Sequence, residues 1–142
     1  MPAVLSVSVD SDDLDRDAQF WAAVLGRTCT SVMTWGPGAG SAFFELSDGV
    51  RLIVNAPPRN SDAPEWLGLE LEVADPASEH ARLKSRGIAV SDLYDTDGGS
   101  RAFVVTAPNG QKFRMGTRWP LPVRDADLSG REQQVCEHRG AP

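Results

Sequence analysis

The 142-residue chain is poor in the residues that usually announce chemistry. It has two cysteines, Cys29 and Cys136, with neither a CxxC spacing nor a histidine beside them. That argues against a disulfide framework, a zinc site or a thiol nucleophile, and both read as buried or incidental thiols. It has two histidines, His80 in a helix-like segment, where it reads as lying on the exposed side, and His138 near the C-terminus. No Ser-His-Asp or Cys-His arrangement can be assembled from them. There is no excess of basic charge: the formal net charge is −6, which disfavours polyanionic partners such as nucleic acid and anionic membrane surfaces. Apolar runs are strand-length, well short of the roughly 20 residues that a membrane helix needs. The start, MPAVLSVSVD, lacks the basic and long apolar regions of a signal peptide. A cytoplasmic protein with no nucleic-acid or membrane partner is expected. Glycines 36, 38 and 40 are not followed by the Lys-Ser/Thr of a phosphate loop, and the acidic run at 10–17 lacks EF-hand spacing.

What the chain does have is one pattern written twice. Val4 to Val9 alternates as a strand, with Leu5, Val7 and Val9 on one face and Val4, Ser6 and Ser8 on the other. Asp10-Ser11-Asp12-Asp13 supplies cap chemistry for a helix over about 14–25, with Leu14, Ala18, Trp21 and Leu25 on its apolar side and Gly26 ending it. Strands follow at 28–35, 41–46 and 50–55, separated by a 36–40 loop and an Asp48-Gly49 hairpin turn. After a proline-rich linker at 56–65 the order repeats. A strand spans 66–73. A helix follows, capped by Asp75 with Pro76 at its first position and stopped by Gly87. Strands at 88–94, 101–106 and 111–117 complete the unit, with turns at Asp97-Gly98-Gly99 and Asn109-Gly110. Such a β-α-β-β-β unit buries only part of its sheet. Two of them predict an α+β fold with two βαβββ modules, 4–55 and 66–117. The modules form a cup-shaped, incompletely closed mixed sheet with the helices outside. Residues 118–142 read as a tail, with a short helix around 127–135 or partial disorder.

Three segments carry a resemblance. Phe20-Trp21-Ala22-Ala23-Val24-Leu25-Gly26 resembles an F-W/Y-x-x-x-L-G helix end. Leu71-Glu72-Val73-Ala74-Asp75, followed by Ala81 to Gly87, resembles an E-V-x-D … L-x-x-x-G signature. Ala107-Pro108-Asn109-Gly110-Gln111 resembles a D-P-x-G-N turn. In this order they resemble the glyoxalase/bleomycin-resistance/dioxygenase group, the vicinal oxygen chelate superfamily, and within it the glyoxalase-like branch. The resemblance covers residues 4–117 and makes them one glyoxalase-like domain. It implies four metal ligands, often His, Glu, His and Glu, on four strands. Carried over by register, those positions are Ser6, Ile53, Gly68 and Arg114. Divalent metals take imidazole, carboxylate or thiolate. Isoleucine and glycine have no donor, serine is a poor one and arginine is a fixed cation. No metal and no other cofactor is therefore expected.

Alternation along the strands gives a lining for the cup independently of the resemblance. It comprises Ser6, Ser8, Arg51, Ile53, Asn55, Trp66, Gly68, Glu70, Glu72, Lys112, Arg114 and Gly116. Arg114, Arg51 and Glu70 are expected to pair with one another or with a ligand, because interior charges need partners. Trp35, beside the glycine-rich loop, is either a ligand cover or a residue packed on the other module. Either Trp119 or Tyr94 could line the mouth, and Trp21 is expected in the core. The candidate ligand-binding residues are thus Ser6, Ser8, Trp35, Arg51, Ile53, Asn55, Trp66, Glu70, Tyr94 and Arg114. Three readings follow. One is a metal-free protein binding a small aromatic or carbonyl-containing molecule, as the resemblance to antibiotic-binding members implies. Another is a metal-independent lyase or isomerase using Glu70, Glu72, Tyr94 or an arginine. A third is a structural or regulatory module, a homodimer by family resemblance. An internal charge network filling a closed cup is the plain structural alternative.

Overall fold

The computed structural model describes residues 2–46, 49–58, 65–96 and 99–118. Cys136, His138, Trp119, the helix expected near 127–135 and parts of the 48–49 and 97–99 turns lie outside them. The first module runs β1 (Ser6–Asp10), α1 (Leu14–Leu25), β2 (Ser31–Gly36), β3 (Ala39–Glu45) and β4 (Arg51–Ala56). The second runs β5 (Trp66–Glu72), α2 (Pro76–Ser85), β6 (Ala89–Val90), β7 (Tyr94–Asp95), β8 (Arg101–Thr106) and β9 (Lys112–Gly116). The strand orders are β1-β4-β3-β2 and β5-β9-β8-β6, with β7 also pairing β8. In both sheets the first strand lies parallel to the last and the remaining pairings are antiparallel. The α+β architecture of two mixed sheets with no closed barrel is the expected one.

Local chemistry explains the element ends. Asp13 caps α1 by accepting from the Arg16 amide at 3.1 Å, and Gly26 closes it in the left-handed region. Asp75 caps α2 through the Ser78 amide, with Pro76 behind it. Gly110 takes the positive φ that its hairpin requires, while Ala107 N–H donates to the Gln111 carbonyl at 2.7 Å.

Four expectations need correction. Val4 and Leu5 are exposed, and β1 begins only at Ser6. The 36–40 segment is not a loop but a tight hairpin: Gly36 ends β2, and Ala39 and Gly40 already belong to β3. Gly40 is there for close approach, since a Cβ on it would strike the Met33 carbonyl. The buried face of α1 carries Asp17, Phe20, Trp21 and Val24, while Leu14 and Leu25 are only partly buried. Asp17 tolerates burial because Ser11 Oγ donates to it at 2.6 Å and Arg16 Nε at 2.9 Å. Finally, the strand expected at 88–94 is two short ones. Ser91 breaks it: its Oγ, rather than a carbonyl, accepts the Val104 N–H at 2.8 Å, and its own carbonyl lies 2.7 Å from His80 Nε2. His80 is therefore not on a free face; its ring also meets Phe103 edge-on at 5.2 Å.

One apolar core serves both modules. Phe20 and Trp21 of α1 pack on Phe113 of β9, Trp21 stacked at 4.9 Å between ring centroids. Arg82 of α2 makes a second bridge. It donates to the Ala23 carbonyl at 2.7 Å and the Val24 carbonyl at 2.9 Å, and pairs with Glu79 at 2.7 Å. The last turn of α1 has no basic residue of its own, so the other module supplies the cation that its open carbonyls and negative dipole end favour. Arg82→Met is expected to cost about 2–3 kcal/mol in urea unfolding, because charged hydrogen bonds are lost and half-buried carbonyls are stranded. Arg82→Lys should recover only part, since one ammonium cannot span both carbonyls as a planar fork does.

Candidate functional site

Register places the expected lining on single faces. In the first sheet Ser6 lies beside Arg51, Ser8 beside Ile53 and Asp10 beside Asn55. Val7, Val9, Leu52 and Val54 turn the other way, into the core. Asn55 is buried, and its Oδ1 accepts from Ser41 Oγ at 2.6 Å. That pair is internal, so Asn55 does not present its side chain to the face as Ser8 does. Arg51 pairs with Glu45 at 2.9 Å, both exposed, and not with Glu70. Trp35 sits on β2, the outer strand, 60% exposed. It is not packed on the other module.

The second sheet holds the denser constellation. Arg114 of β9 neighbours Glu70 of β5 and donates to it at 3.3 Å through one terminal nitrogen. Its Nε is buried and has no hydrogen-bond partner among the described residues. A buried donor left unsatisfied costs about 1–3 kcal/mol, so this atom is poised to gain from an acceptor. Lys112 pairs with Glu65 at 2.9 Å and lies 5.9 Å from the centroid of the Trp66 ring. The hydrogen bond from Lys112 holds the Glu65 carboxyl below its usual range. Arg118 pairs with Glu72 at 2.8 Å. Tyr94 of β7 pairs with Ala102, which in turn pairs with Gly116, so it joins this face at its far side, half-buried.

Between Trp66 and Glu70 the β5 ladder slips: Trp66 pairs with Lys112 and Glu70 with Arg114, leaving Leu67, Gly68 and Leu69 opposite one residue. A Cβ on Gly68 would meet nothing within 4 Å. The space beside it is a cavity of about 330 Å³ lined by Trp66, Leu67, Gly68, Leu69, Glu70 and Arg114. A second, of about 290 Å³, lies on the other side of the Arg114–Glu70 pair, toward Ala102 and Arg118. With Trp66 about half exposed, the face is not closed by its own charges.

The residues do not fit a divalent metal. Ser6 and Ile53 offer one weak donor between them, Gly68 offers open space, and Arg114 brings a positive charge already turned on Glu70. Among the described residues no group of three or more His, Cys, Asp or Glu side chains is close enough to hold an ion. No described helix is long and apolar enough to cross a membrane.

A further cavity was not foreseen from the sequence. It is a crevice of about 900 Å³ between the modules, bounded by β1, the end of α1, β5 and α2. Of the expected site residues only Glu70 touches it. A signal was present: each helix-ending glycine has an arginine beside it, Gly26-Arg27 and Arg86-Gly87, and both arginines line the crevice.

The family profile of the glyoxalase-like domain matches residues 6–115, and the chain belongs to that family. No curated protein gives a significant match. Among solved structures, the chain is similar to TnmS3, an antibiotic binding protein from Streptomyces sp. CB03234, with 20% identity and a TM-score of 0.68 over 82% of this chain and 96% of that one. It is similar to a glyoxylase/bleomycin resistance protein/dioxygenase domain from Frankia sp. EAN1pec, with 14% identity and a TM-score of 0.66 over 82% and 98%. It is also similar to lactoylglutathione lyase from Agrobacterium tumefaciens, with 18% identity and a TM-score of 0.63 over 81% and 92%. At these identities the likeness is one of fold, and it spans a binder and a lyase alike.

Proposed function

We propose that this protein binds, without a metal, a small molecule with an aromatic body and a carbonyl or anionic oxygen, held in the cup on the face that carries Trp66 and Arg114. The observation that carries the reading is the unsatisfied Nε of Arg114, a residue that lines the same cavity as Gly68. An oxygen acceptor would satisfy the guanidinium, and a flat ring would find Trp66 half exposed at the other end of the same cavity. Ser6, Ser8, Arg51 and Ile53 would serve as the polar and apolar lining contributed by the first sheet, with Trp35 and Tyr94 at the margins. The antibiotic-binding relative in fold supports a binding role. The lyase reading finds less support, because Glu70 and Glu72 are each engaged by an arginine and neither stands free as a base.

The test is a thermal-shift and tryptophan-fluorescence screen with aromatic ketones, quinones and aryl carboxylates, alongside a metal assay of the purified protein. Arg114→Gln should weaken a hit about 10- to 100-fold, the worth of a charged hydrogen bond, with little change in melting temperature since Glu70 is solvated. Binding undiminished in both Arg114→Gln and Trp66→Leu would refute the site. Stoichiometric divalent metal would refute the metal-free reading.

A further inference from the structure

We infer that the crevice between the modules is a second binding site, for an amphiphilic carboxylate: an apolar chain or ring ending in one negative charge. This goes beyond the cup reading and uses a different face.

Apolar side chains from both modules form the greater part of the walls, and charged groups the rest. Val7 of β1 and Val24 and Leu25 of α1 stand on one side; Leu69 and Leu71 of β5 and Met115 of β9 stand on the other. β1 and β5 are the end strands of their sheets, so the crevice lies where the two sheets fail to join. Its volume of about 900 Å³ is within the range of small-molecule sites, about 300–1,000 Å³.

The charges decide what fits. Three carboxylates reach the crevice, and each is already matched: Glu70 by Arg114, Glu72 by Arg118 and Glu79 by Arg82. Arg82 is spent further on the carbonyls that end α1. Two cations remain. Among the described residues the Arg27 guanidinium donates only to the neutral Glu45 carbonyl, at 3.2 Å. The Arg86 backbone N–H donates to the Leu83 carbonyl, but its guanidinium has no ion pair or hydrogen bond among the described residues. An apolar trough with two uncommitted guanidinium groups at its rim favours a molecule that is greasy along its length and anionic at one end. A cationic amphiphile would meet repulsion, and a sugar would leave its hydroxyls against leucine and valine.

Isothermal titration with decanoate, below its micelle-forming concentration, tests the assignment. Saturable binding of one decanoate per chain is expected, with decanol and decyltrimethylammonium at least tenfold weaker. The double variant Arg27→Gln/Arg86→Gln should weaken decanoate about tenfold; both side chains are exposed, so the fold should survive. Leu25→Gln, which changes the wall and not the rim, should weaken decanoate and decanol together. Trp66→Leu should leave decanoate binding unchanged, which separates this site from the cup. Decanol binding as tightly as decanoate, full binding in the double arginine variant, or no saturable binding would each overturn the inference. So would sedimentation showing that a second copy of the chain fills the crevice and excludes decanoate.

Discussion

Phe113→Ala should be among the most damaging single substitutions in the protein, costing about 3–5 kcal/mol. The side chain is fully buried. It stacks on Trp21 at 4.9 Å and meets Phe20 edge-on at 6.3 Å, while Phe20 and Trp21 meet each other at 5.2 Å. Truncation loses the ring's burial, leaves a cavity, and removes aromatic contacts worth about 0.5–1.5 kcal/mol per pair. The partners matter as much as the size. Phe20 and Trp21 belong to the first module and Phe113 to the second, so this cluster is where two half-buried sheets become one core. Beyond the loss of stability, the urea transition should broaden as the modules uncouple. Phe103, also fully buried, meets His80 of its own module, so Phe103→Ala should lower the midpoint while keeping the transition sharp. Equal broadening in both variants would show that the aromatic cluster is not the hinge of cooperativity.

Gly68→Leu is expected to abolish ligand binding on the cup face while leaving the protein as stable as before, or more so. Gly68 is exposed, its backbone lies outside the left-handed region, and a Cβ there meets nothing within 4 Å. A side chain can therefore be added without strain, and removing a strand glycine gains about 0.5–1 kcal/mol by reducing unfolded-state freedom. The same side chain would stand between Trp66 and Arg114 and fill the cavity of about 330 Å³. A hit from the screen should lose at least 100-fold in affinity by fluorescence titration, with an unchanged or raised melting temperature. A stable variant that still binds would place the ligand elsewhere. Gly116 is the contrasting control. A Cβ there would lie 2.7 Å from the Arg101 carbonyl, so Gly116→Ala should cost about 1–3 kcal/mol by overpacking.

Much of the fold was legible in short-range signals. Asp13 and Asp75 as caps, Gly26 and Gly87 as helix ends, and Gly110 as a hairpin turn each follow from the conformational needs of a few consecutive residues. Alternation placed Ser6, Ser8, Arg51 and Ile53 on one face, and Trp66, Glu70 and Arg114 on another, because side chains of an extended strand must alternate. Counting from the family-like segments separately put non-ligands at all four positions where the resemblance implies metal ligands. Where strand or helix periodicity misled, a side-chain hydrogen bond intervened. His80 took the Ser91 carbonyl and ended β6, and Asp17 was drawn inward by Ser11 and Arg16.

What the sequence by itself determined is which residues share a surface, since a period of two along a strand needs no knowledge of neighbours. Only the tertiary structure decided which charges meet. Arg51 found Glu45 and Arg114 found Glu70, 44 positions away, because pairing depends on strand order and register between distant segments. The buried Arg114 Nε, the slip that opens space at Gly68, and the crevice lined by Arg27 and Arg86 belong to the same level. Each is set by how one strand or module lies against another, and that geometry comes from the summed packing of the shared core rather than from any local pattern.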